Sequence, residues 1–301
     1  MNRVIGERSS DSKEVLLVLI GAMHGNETEG IAAISNILAT IDSEQLNLNG
    51  KIIGLAGNLA AINAKMRFLH YDLNRLWTQE FVTELKERNV NTLMAEEKEA
   101  YELLMQLEAL ADEPYKKKIL IDLHTTSADN GNFLVYTGDV DKDPIVQSLK
   151  LPVVVNLEKY IEGTLMLYSQ RLGFNSVVFE GGLIGSDKST ELHTYGLWQV
   201  MMSSGLIEKP HDPELSTHYE ELIGSLHIDL PRAVRVLHRH EIHPKDYFHM
   251  KPGFENFQRV RQGELLAEDK QGLINSPMNG FIFMPLYQNT GNDGFFIVEE
   301  V

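Results

Sequence analysis

The run Val-Leu-Leu-Val-Leu-Ile at residues 15–20, followed by His24-Gly25-Asn26-Glu27, is the stretch that decides how this chain folds. An unbroken apolar run of this length is typical of a strand that is buried on both faces of a parallel sheet. The histidine and the glutamate lie in the turn that leaves this strand, where the glycine allows a tight backbone. Ligands of α/β proteins bind at the carboxyl ends of such strands. The stretch therefore predicts a core strand with a candidate site at its end.

The first two thirds of the chain alternate between apolar runs and helical segments. We expect strands at residues 14–21, 51–58, 118–123 and 176–180. We expect a helix at residues 28–41, one long or two shorter helices over residues 80–110, and a last helix at residues 189–206. This alternation predicts an α/β fold, with a mostly parallel (mixed) sheet that carries helices on both faces.

The pattern changes near residue 228. Pro210-His211-Asp212-Pro213 interrupts the helical pattern. Beyond it, short strand-like runs separated by glycines occur at residues 233–237, 280–284 and 295–298. A chain of 301 residues is long enough for one large and one small domain. We therefore expect a large α/β domain at residues 1–227, which contains the candidate site, and a small β-rich domain at residues 228–301.

Composition excludes several classes of function. The formal net charge of −16 would repel a phosphate backbone, which argues against a nucleic-acid partner. The chain has no cysteine, so any metal ion must be held by histidine and carboxylate side chains. No apolar run approaches the roughly 18 residues that span a bilayer, and no secretory signal is visible. We therefore expect a cytoplasmic protein without a nucleic-acid or membrane partner.

His24, Glu27 and a distant His124, which ends the apolar run at residues 119–123, form a sparse set of metal ligands. Two histidines and one carboxylate suit zinc and leave a coordination position open, as a hydrolytic site requires. Asp122 precedes His124 by two residues and is placed to orient it. The alternative is that His-x-x-Glu occurs here by chance. The position of His24, His124 and Glu180 at or just past the ends of predicted strands argues against it.

A polar loop with two arginines follows the second predicted strand. It contains Arg67, Asp72, Asn74 and Arg75. Guanidinium groups bind carboxylates and stabilise developing oxyanions, so this loop predicts a pocket for an anionic substrate. The alternative is that Arg75 pairs with Asp72 as a surface ion pair.

Glu180 ends the apolar run Val177-Val178-Phe179 and precedes two glycines. A carboxylate at the end of a buried strand is desolvated, which raises its pKa toward the range that suits a general base. Such a base would take a proton from water and pass it to a leaving amine. The alternative is a structural or helix-capping glutamate.

Taken together, these motifs resemble those of the succinylglutamate desuccinylase/aspartoacylase family, a branch of the zinc carboxypeptidase-like fold. The motifs that carry the resemblance are His24-Gly-Asn-Glu27, Arg67, Asp72-Leu-Asn74-Arg75, Asp122-Leu-His124 and Phe179-Glu180. Their order and spacing are specific in combination, and Arg67 falls seven residues before Asn74, as the family pattern expects. The family also has a smaller β domain after the catalytic one, which agrees with the change near residue 228.

The resemblance implies one catalytic zinc ion (Zn2+) per chain, bound by His24, Glu27 and His124. It also implies that Arg67 polarises the scissile carbonyl and that Glu180 is the base. A homodimer is plausible from the resemblance alone.

For the substrate, the resemblance implies that Asn74 and Arg75 hold a carboxylate. Aspartoacylases have an additional carboxylate-binding arginine about ten residues before the base, but position 170 is Gln, which leaves the adjacent Arg171 as the candidate. The C-terminal domain of the family can supply a tyrosine that contacts the substrate, and Tyr287 is the candidate here. Because both residues depart from the family pattern, the acyl group and the amino acid of the substrate stay open.

Two further clusters have a functional and a plain interpretation. His238, His240 and His243 with Glu241 could bind a second metal ion, but incidental histidines on an exposed strand face are the favoured interpretation. The acidic segment at residues 96–99 is expected to be a solvated helix face.

The sequence thus predicts a zinc-dependent amidohydrolase that removes the acyl group from an acidic N-acyl amino acid. The first alternative is a zinc carboxypeptidase that acts on short peptides, since the same fold and ligand set can cleave a terminal residue. The second is a non-catalytic binding module that retains the pocket. The presence of both a ligand set and a base disfavours the second alternative.

Overall fold

The computed structural model describes residues 2–127, 130–208, 214–226, 230–287 and 291–301 of the chain. Its strands are β1 (Val4–Ser9), β2 (Val15–Gly21), β3 (Gly50–Ala56), β4 (Lys117–Thr126), β5 (Asn132–Val135), β6 (Val153–Val155), β7 (Asn175–Leu183), β8 (Ala233–Glu241), β9 (His249–Met250), β10 (Arg259–Val260), β11 (Leu265–Asp269), β12 (Gly272–Asn275), β13 (Gly280–Phe283) and β14 (Asp293–Glu300). Its helices are α1 (Glu29–Ser43), α2 (Leu59–Ala64), α3 (Gln79–Glu87), α4 (Glu96–Asp112), α5 (Pro144–Leu149), α6 (Leu165–Arg171), α7 (Asp187–Ser204) and α8 (Glu214–Leu226).

A single large sheet organises the molecule. In the described residues it has eleven strands in the order β1-β3-β2-β4-β7-β5-β6-β8-β14-β13-β10. The strands β3, β2, β4 and β7 are parallel neighbours, whereas β5 is antiparallel to β7. At one edge β1 is antiparallel to β3, and at the other β14 and β13 continue the sheet in antiparallel fashion. The sheet confirms the predicted mixed α/β fold.

Both faces of the central strands are buried, which explains the unbroken apolar run of β2. Leu17 and Leu19 pack in one cluster with Ile34 and Ile37 of α1 and with residues of α7. Leu16, Val18 and Ile20 belong to a second cluster with residues of α4. Because side chains of a strand alternate between its faces, a strand covered on both sides must be apolar at every position.

The predicted elements are present with small shifts of their ends. The region predicted as one long or two shorter helices forms two, α3 and α4, separated by a 3₁₀ turn at Val90–Thr92. The expectation that the helix at residues 189–206 is the last one was wrong, because α8 follows it. The predicted break at residues 210–213 lies outside the described residues.

Among the helices that the structure describes, none is both long and apolar enough to cross a bilayer.

The region after residue 230 is built from short antiparallel strands, as expected. Its first strand, β8, pairs in parallel with β6, so this region extends the sheet of the preceding part. A separate three-stranded sheet, β12-β11-β9, lies beyond it. The boundary between residues 227 and 228 stays a prediction, since residues 227–229 are outside the described part of the chain.

The expectation of a solvated acidic face at residues 96–99 was wrong for two of its glutamates. Glu96 and Glu99, at the start of α4, are buried. Glu99 accepts hydrogen bonds from the backbone N–H groups of Leu59 and Ala60 and pairs with Arg3. Glu99 therefore stabilises the first N–H groups of α2, and Glu96 accepts from the N–H groups of residues 69–71. Charge patterning alone does not distinguish these roles from a solvated face.

Candidate active site

The predicted site residues come together at the carboxyl ends of β2, β4 and β7. His24 and Glu27 lie in the turn between β2 and α1, and His124 is near the end of β4. Glu180 of β7 is directly opposite His124 in the parallel pairing of the two strands. The tight approach of this turn to α2 requires Gly25, since a Cβ there would lie 2.2 Å from the carbonyl carbon of Ala61.

The two histidines face one carboxylate. His24 Nδ1 lies 2.8 Å from Glu27 Oε1, and His124 Nδ1 lies 3.1 Å from Glu27 Oε2. All three side chains are buried. Their candidate ligand atoms lie within 4.8 Å of one another, and they form the one such group of histidines and carboxylates found in the described residues.

A second carboxylate faces the outer nitrogen of each imidazole. Asp72 Oδ1 is 3.1 Å from His24 Nε2. Asp122 Oδ2 is 3.1 Å from His124 Nε2, and Asp122 is fully buried. A carboxylate behind a histidine fixes the tautomer and the orientation of the ring, and this arrangement is typical of metal-binding histidines.

The residues of this cluster fit a metal ion. His24 Nδ1 is buried and, although close to Glu27, makes no directed hydrogen bond within the described structure. Two imidazoles and a carboxylate are the donor set of many zinc enzymes, and three protein ligands leave a position for substrate or water. Both Nδ1 atoms face Glu27, as they would if the three side chains bound one ion.

The electrostatics of the cluster are strongly coupled. Burial alone would raise the pKa of Glu27, but the electrostatic and hydrogen-bond contacts with His24 and His124 hold this pKa well below its ordinary value. Burial would likewise lower the pKa of His124, but the carboxylates of Asp122 and Glu27 hold it well above its ordinary value. The ionisation of Glu27 and that of His124 are therefore coupled to each other.

Arg67 contacts the same cluster from the polar loop. Its Nη1 donates a hydrogen bond of 2.9 Å to Glu27 Oε1, and its Nη2 lies 3.6 Å from Asp72 Oδ2. The loop is held by Glu96, whose carboxylate accepts hydrogen bonds from the backbone N–H groups of residues 69–71. Glu96 is thus a positioning residue that sequence reasoning missed.

Asn74 and Arg75 also line the cavity, with partners that differ from those expected. The amide of Asn74 accepts from the backbone N–H of Leu165 at 2.8 Å, which directs its Nδ2 toward His124 Nε2 at 3.3 Å. Arg75 has Asp293 as its ion partner, at 3.3 Å, so the alternative pair with Asp72 is not the arrangement in the structure. Arg75 therefore links the polar loop to the C-terminal region.

Glu180 is buried beside the cluster and lines the cavity. Its Oε2 has no hydrogen-bond partner within the part of the chain that is described. Burial raises the pKa of Glu180 to about 8, while the charge of His124 opposes and that of Glu27 reinforces this rise. A carboxylate with these properties suits a general base near neutral pH.

His193 of α7 supports the strand that carries Glu180, and sequence reasoning missed it. It is fully buried, and its Nε2 lies 3.1 Å from the carbonyl oxygen of Phe179. Burial lowers the pKa of His193 to about 4. A Cβ at Gly181 would lie 2.3 Å from His193 Nε2, so the glycine after Glu180 makes room for this ring.

Arg171 and Tyr287 do not line the cavity in the described structure. Arg171 Nη1 lies 3.4 Å from the amide oxygen of Gln79 on the surface. The hydroxyl of Tyr287 lies 3.0 Å from the backbone carbonyl oxygens of both Lys251 and Phe254, and it can donate to either of them. The substrate-binding roles expected for both residues remain predictions from the resemblance.

The cavity wall contains two polar residues that sequence reasoning missed. Asn256 is buried, and Met284 N donates to its Oδ1, which leaves Asn256 Nδ2 without a partner among the residues described. Glu158 Oε2 is also buried and unpartnered in that part of the chain. An isolated Asn or Glu outside any motif carries no signal by which sequence reasoning could have found it.

The histidine-rich strand forms an aromatic surface. His240 stacks on Phe295 with ring centroids 4.9 Å apart, and His238 lies 6.4 Å from His240. Both rings are half-buried on β8. The favoured interpretation places incidental histidines on an exposed strand face, whereas both rings are half-buried beside Phe295. In the described residues the group of candidate metal ligands is His24, Glu27 and His124.

Comparisons with known proteins place this site in a family. The family model of the succinylglutamate desuccinylase/aspartoacylase catalytic domain matches residues 13–194. A probable aspartoacylase of Prochlorococcus marinus (strain NATL2A) is 31% identical over 138 residues, which cover 46% of this chain and 42% of that protein. The match therefore spans less than half the length of this relative.

Two more distant relatives match over most of the chain. An N-acyl-aromatic-L-amino acid amidohydrolase (carboxylate-forming) of Xenopus tropicalis is 24% identical over 271 residues, and the match covers 83% of each chain. The crystal structure of succinylglutamate desuccinylase from Vibrio cholerae has the same fold, with a TM-score of 0.69 at 18% identity, over 97% of this chain and 83% of that one. With more than half of its residues matched by the family model, this chain belongs to the succinylglutamate desuccinylase/aspartoacylase family.

Proposed function

We propose that this protein is a zinc-dependent hydrolase that cleaves the amide bond of an N-acyl amino acid. The observation that carries the proposal is the convergence of His24, Glu27 and His124 with Glu180 in one cavity. The family includes deacylases of succinylglutamate and of N-acyl amino acids. Membership alone does not assign a substrate to this chain, so the activity rests on the residues of the site.

His24, Glu27 and His124 would hold the zinc ion, with Asp72 and Asp122 behind the two imidazoles. When bound, zinc would polarise a carbonyl group and lower the pKa of water toward neutrality. Cobalt and manganese would also fit this donor set. The remaining steps are carried by the side chains around the cluster.

Glu180 would take the proton from the attacking water and deliver it to the departing amine. Burial, which raises its pKa to about 8, makes Glu180 a strong enough base for this transfer and a competent acid once protonated. Its unpartnered Oε2 would be available for the proton. A buried carboxylate with a fully satisfied hydrogen-bond network would be a weaker base.

Arg67 would stabilise the negative charge that develops on the substrate carbonyl oxygen. Its guanidinium is already held at the cluster by Glu27, so little reorganisation would be needed as charge develops. Arg75, which also lines the cavity, would bind the substrate carboxylate together with Asn74. Arg171 and Tyr287 stay candidates for substrate binding only if the chain rearranges around the substrate.

A panel of substrates tests the proposal. The zinc-loaded protein should hydrolyse N-acyl amino acids and should act weakly on dipeptides and cell-wall peptides. Preferred cleavage of the peptides would favour a zinc carboxypeptidase instead. Absence of zinc-dependent hydrolysis for every acylated amine would leave the non-catalytic binding module. Light scattering of the same sample tests the expected homodimer.

Glu180→Gln is the sharpest variant for this assay. It keeps the size of the side chain and removes the base, so turnover should fall by about 10²–10⁴ while zinc binding is retained. Glu162→Gln, an exposed position, is the matched control and should keep wild-type turnover. Wild-type turnover in Glu180→Gln would exclude the proposed base.

A further inference from the structure

The cavity continues from the metal cluster into an apolar region. Its volume is about 420 Å³. The part beside Glu180, which we name the apolar arm, consists of Phe133, Val135, Ile161, Met166, Val178 and Met284. Phe133 lies opposite Glu180 in the pairing of β5 and β7, and Val135 lies opposite Val178. A substrate that reaches Glu180 would therefore place one of its groups against this apolar surface.

Positive charge in the cavity is limited. Arg67 and Arg75 are the arginine side chains of the wall, and no lysine lines it in the described residues. Arg67 is bound to Glu27 at 2.9 Å, and Arg75 is 3.3 Å from Asp293. Arg75 can share its guanidinium with one substrate carboxylate, but for a second carboxylate the described wall offers no further arginine or lysine.

Glu158 adds negative charge next to the apolar arm. It lies in the 3₁₀ turn Leu157–Lys159, between the cavity-lining residues Leu157 and Ile161. Its Oε2 is buried without a hydrogen-bond partner in the described chain. A carboxylate in this position repels a second substrate carboxylate, and specificity is often obtained through such a repulsive element.

We propose that this cavity selects N-acyl amino acids that carry one carboxylate and are otherwise apolar, and that Glu158 excludes a second carboxylate. This proposal rests on the proposed hydrolase function. It narrows the expected acidic N-acyl amino acid to compounds that carry a single carboxylate. The apolar group can come from the acyl chain or from the side chain of the amino acid, because either end of the amide can occupy the apolar arm. Dicarboxylic substrates would be the disfavoured class.

Two matched pairs of substrates test this selectivity on the zinc-loaded protein. N-acetylleucine and N-acetylaspartate differ in the side chain, whereas N-hexanoylglycine and N-succinylglycine differ in the acyl group. We expect kcat/KM to favour the apolar member of at least one pair by roughly tenfold, the scale of one like-charge contact that is screened by water. The pair that shows the preference identifies the group that occupies the apolar arm. Equal rates, or a preference for the acidic member in both pairs, would overturn the proposal.

Calorimetric binding of the same four compounds to zinc-loaded Glu180→Gln separates selectivity from turnover. If binding favours the apolar compounds but the wild-type protein hydrolyses none of them, the hydrolase function fails while the selectivity of the cavity stands. If hydrolysis occurs and binding favours the acidic compounds, the selectivity fails while the function stands. Tighter binding of Nα-acetyllysine than of N-acetylleucine would also overturn the proposal, because it would make Glu158 a partner for a cation.

Glu158→Gln tests the excluding residue directly. Removing its charge should raise kcat/KM for the disfavoured dicarboxylate by roughly tenfold and leave the apolar substrate within about twofold. Glu162→Gln removes the same charge from an exposed position four residues away and should leave the ratio unchanged. An unchanged ratio in Glu158→Gln, with wild-type thermal stability, would show that Glu158 does not exclude the second carboxylate.

Discussion

Arg67 Nη1 donates a hydrogen bond of 2.9 Å to Glu27 Oε1, so the arginine proposed to face the substrate carbonyl also holds a proposed zinc ligand. This contact joins the polar loop to the turn after β2. It gives Arg67 two separable roles, one in orienting Glu27 and one in stabilising charge on the substrate. The two roles predict different responses to zinc.

Arg67→Met should lower turnover by about 10²–10³ even at saturating zinc, because one donor to the developing oxyanion is lost. Arg67→Lys keeps the charge but not the planar fork of donors, so it should recover part of this loss. Steady-state kinetics over a range of zinc concentrations measure both effects. Full recovery of Arg67→Met by excess zinc would mean that Arg67 acts only through Glu27.

Asp122→Asn should weaken zinc binding by about 10–100-fold, because the buried carboxylate 3.1 Å from His124 Nε2 orients and polarises that imidazole. Competition with a chelator of known affinity measures the change. Asp139→Asn, at an exposed position, is the control for loss of an aspartate. Equal zinc affinity in Asp122→Asn and the wild type would show that Asp122 does not orient a ligand.

Glu96→Gln should loosen the loop that carries Arg67. Its carboxylate accepts from the backbone N–H groups of residues 69–71, and an amide in its place turns one acceptor into a donor. The expected cost is about 1–3 kcal/mol in the free energy of unfolding, with a lower kcat/KM. Glu97→Gln weakens a partly exposed ion pair with Arg88 and one contact with the backbone N–H of Met94, and should cost under about 1 kcal/mol. Similar results for the two variants would contradict the assigned role of Glu96.

His193 should make the stability of the protein depend on pH. Burial lowers its folded-state pKa to about 4, below the ordinary value of 6.5, so the unfolded chain takes up the proton first. This contribution to stability is complete above pH 6.5 and is lost as the pH falls toward 4. His193→Gln can keep the contact with the Phe179 carbonyl oxygen and has no proton to gain.

Urea unfolding of the metal-free proteins at pH 7.5 and pH 5 measures this dependence. Relative to His193→Gln, the wild type should lose about 2 kcal/mol between the two values, since 1.5 pH units below 6.5 correspond to that energy. Other titrating groups are common to both proteins and cancel in the comparison. A constant difference between wild type and variant would show that His193 is not held neutral by burial.

The core of the fold and the central cluster could be predicted from the sequence because their signals are local. The apolar run of β2 reports burial on both faces, and the turn after it carries His24 and Glu27 within four residues. His124 and Glu180 each follow an apolar run of a core strand, and the parallel pairing of β4 and β7 places them side by side. In each case the apolar run of a single strand shows where the polar residue that follows it lies.

The remaining features depend on tertiary contacts that a sequence pattern does not encode. The burial of Glu96 and the pairing of Arg75 with Asp293 depend on segments far apart in the chain. The family resemblance makes Arg171 and Tyr287 candidates from their positions in the sequence. In the structure, however, their side chains have partners outside the cavity. The wall that selects the substrate is assembled from such distant segments, so its chemistry becomes visible only in the folded structure.

The most direct test of the central claim is a zinc titration of the metal-free protein, with hydrolysis of an N-acyl amino acid and bound zinc measured on the same samples. We predict that activity rises linearly and saturates at one zinc ion per chain, and that Glu180→Gln binds the same amount of zinc without comparable turnover. Equal hydrolysis by the metal-free and zinc-loaded proteins, or zinc binding that survives the loss of both His24 and His124, would contradict the account.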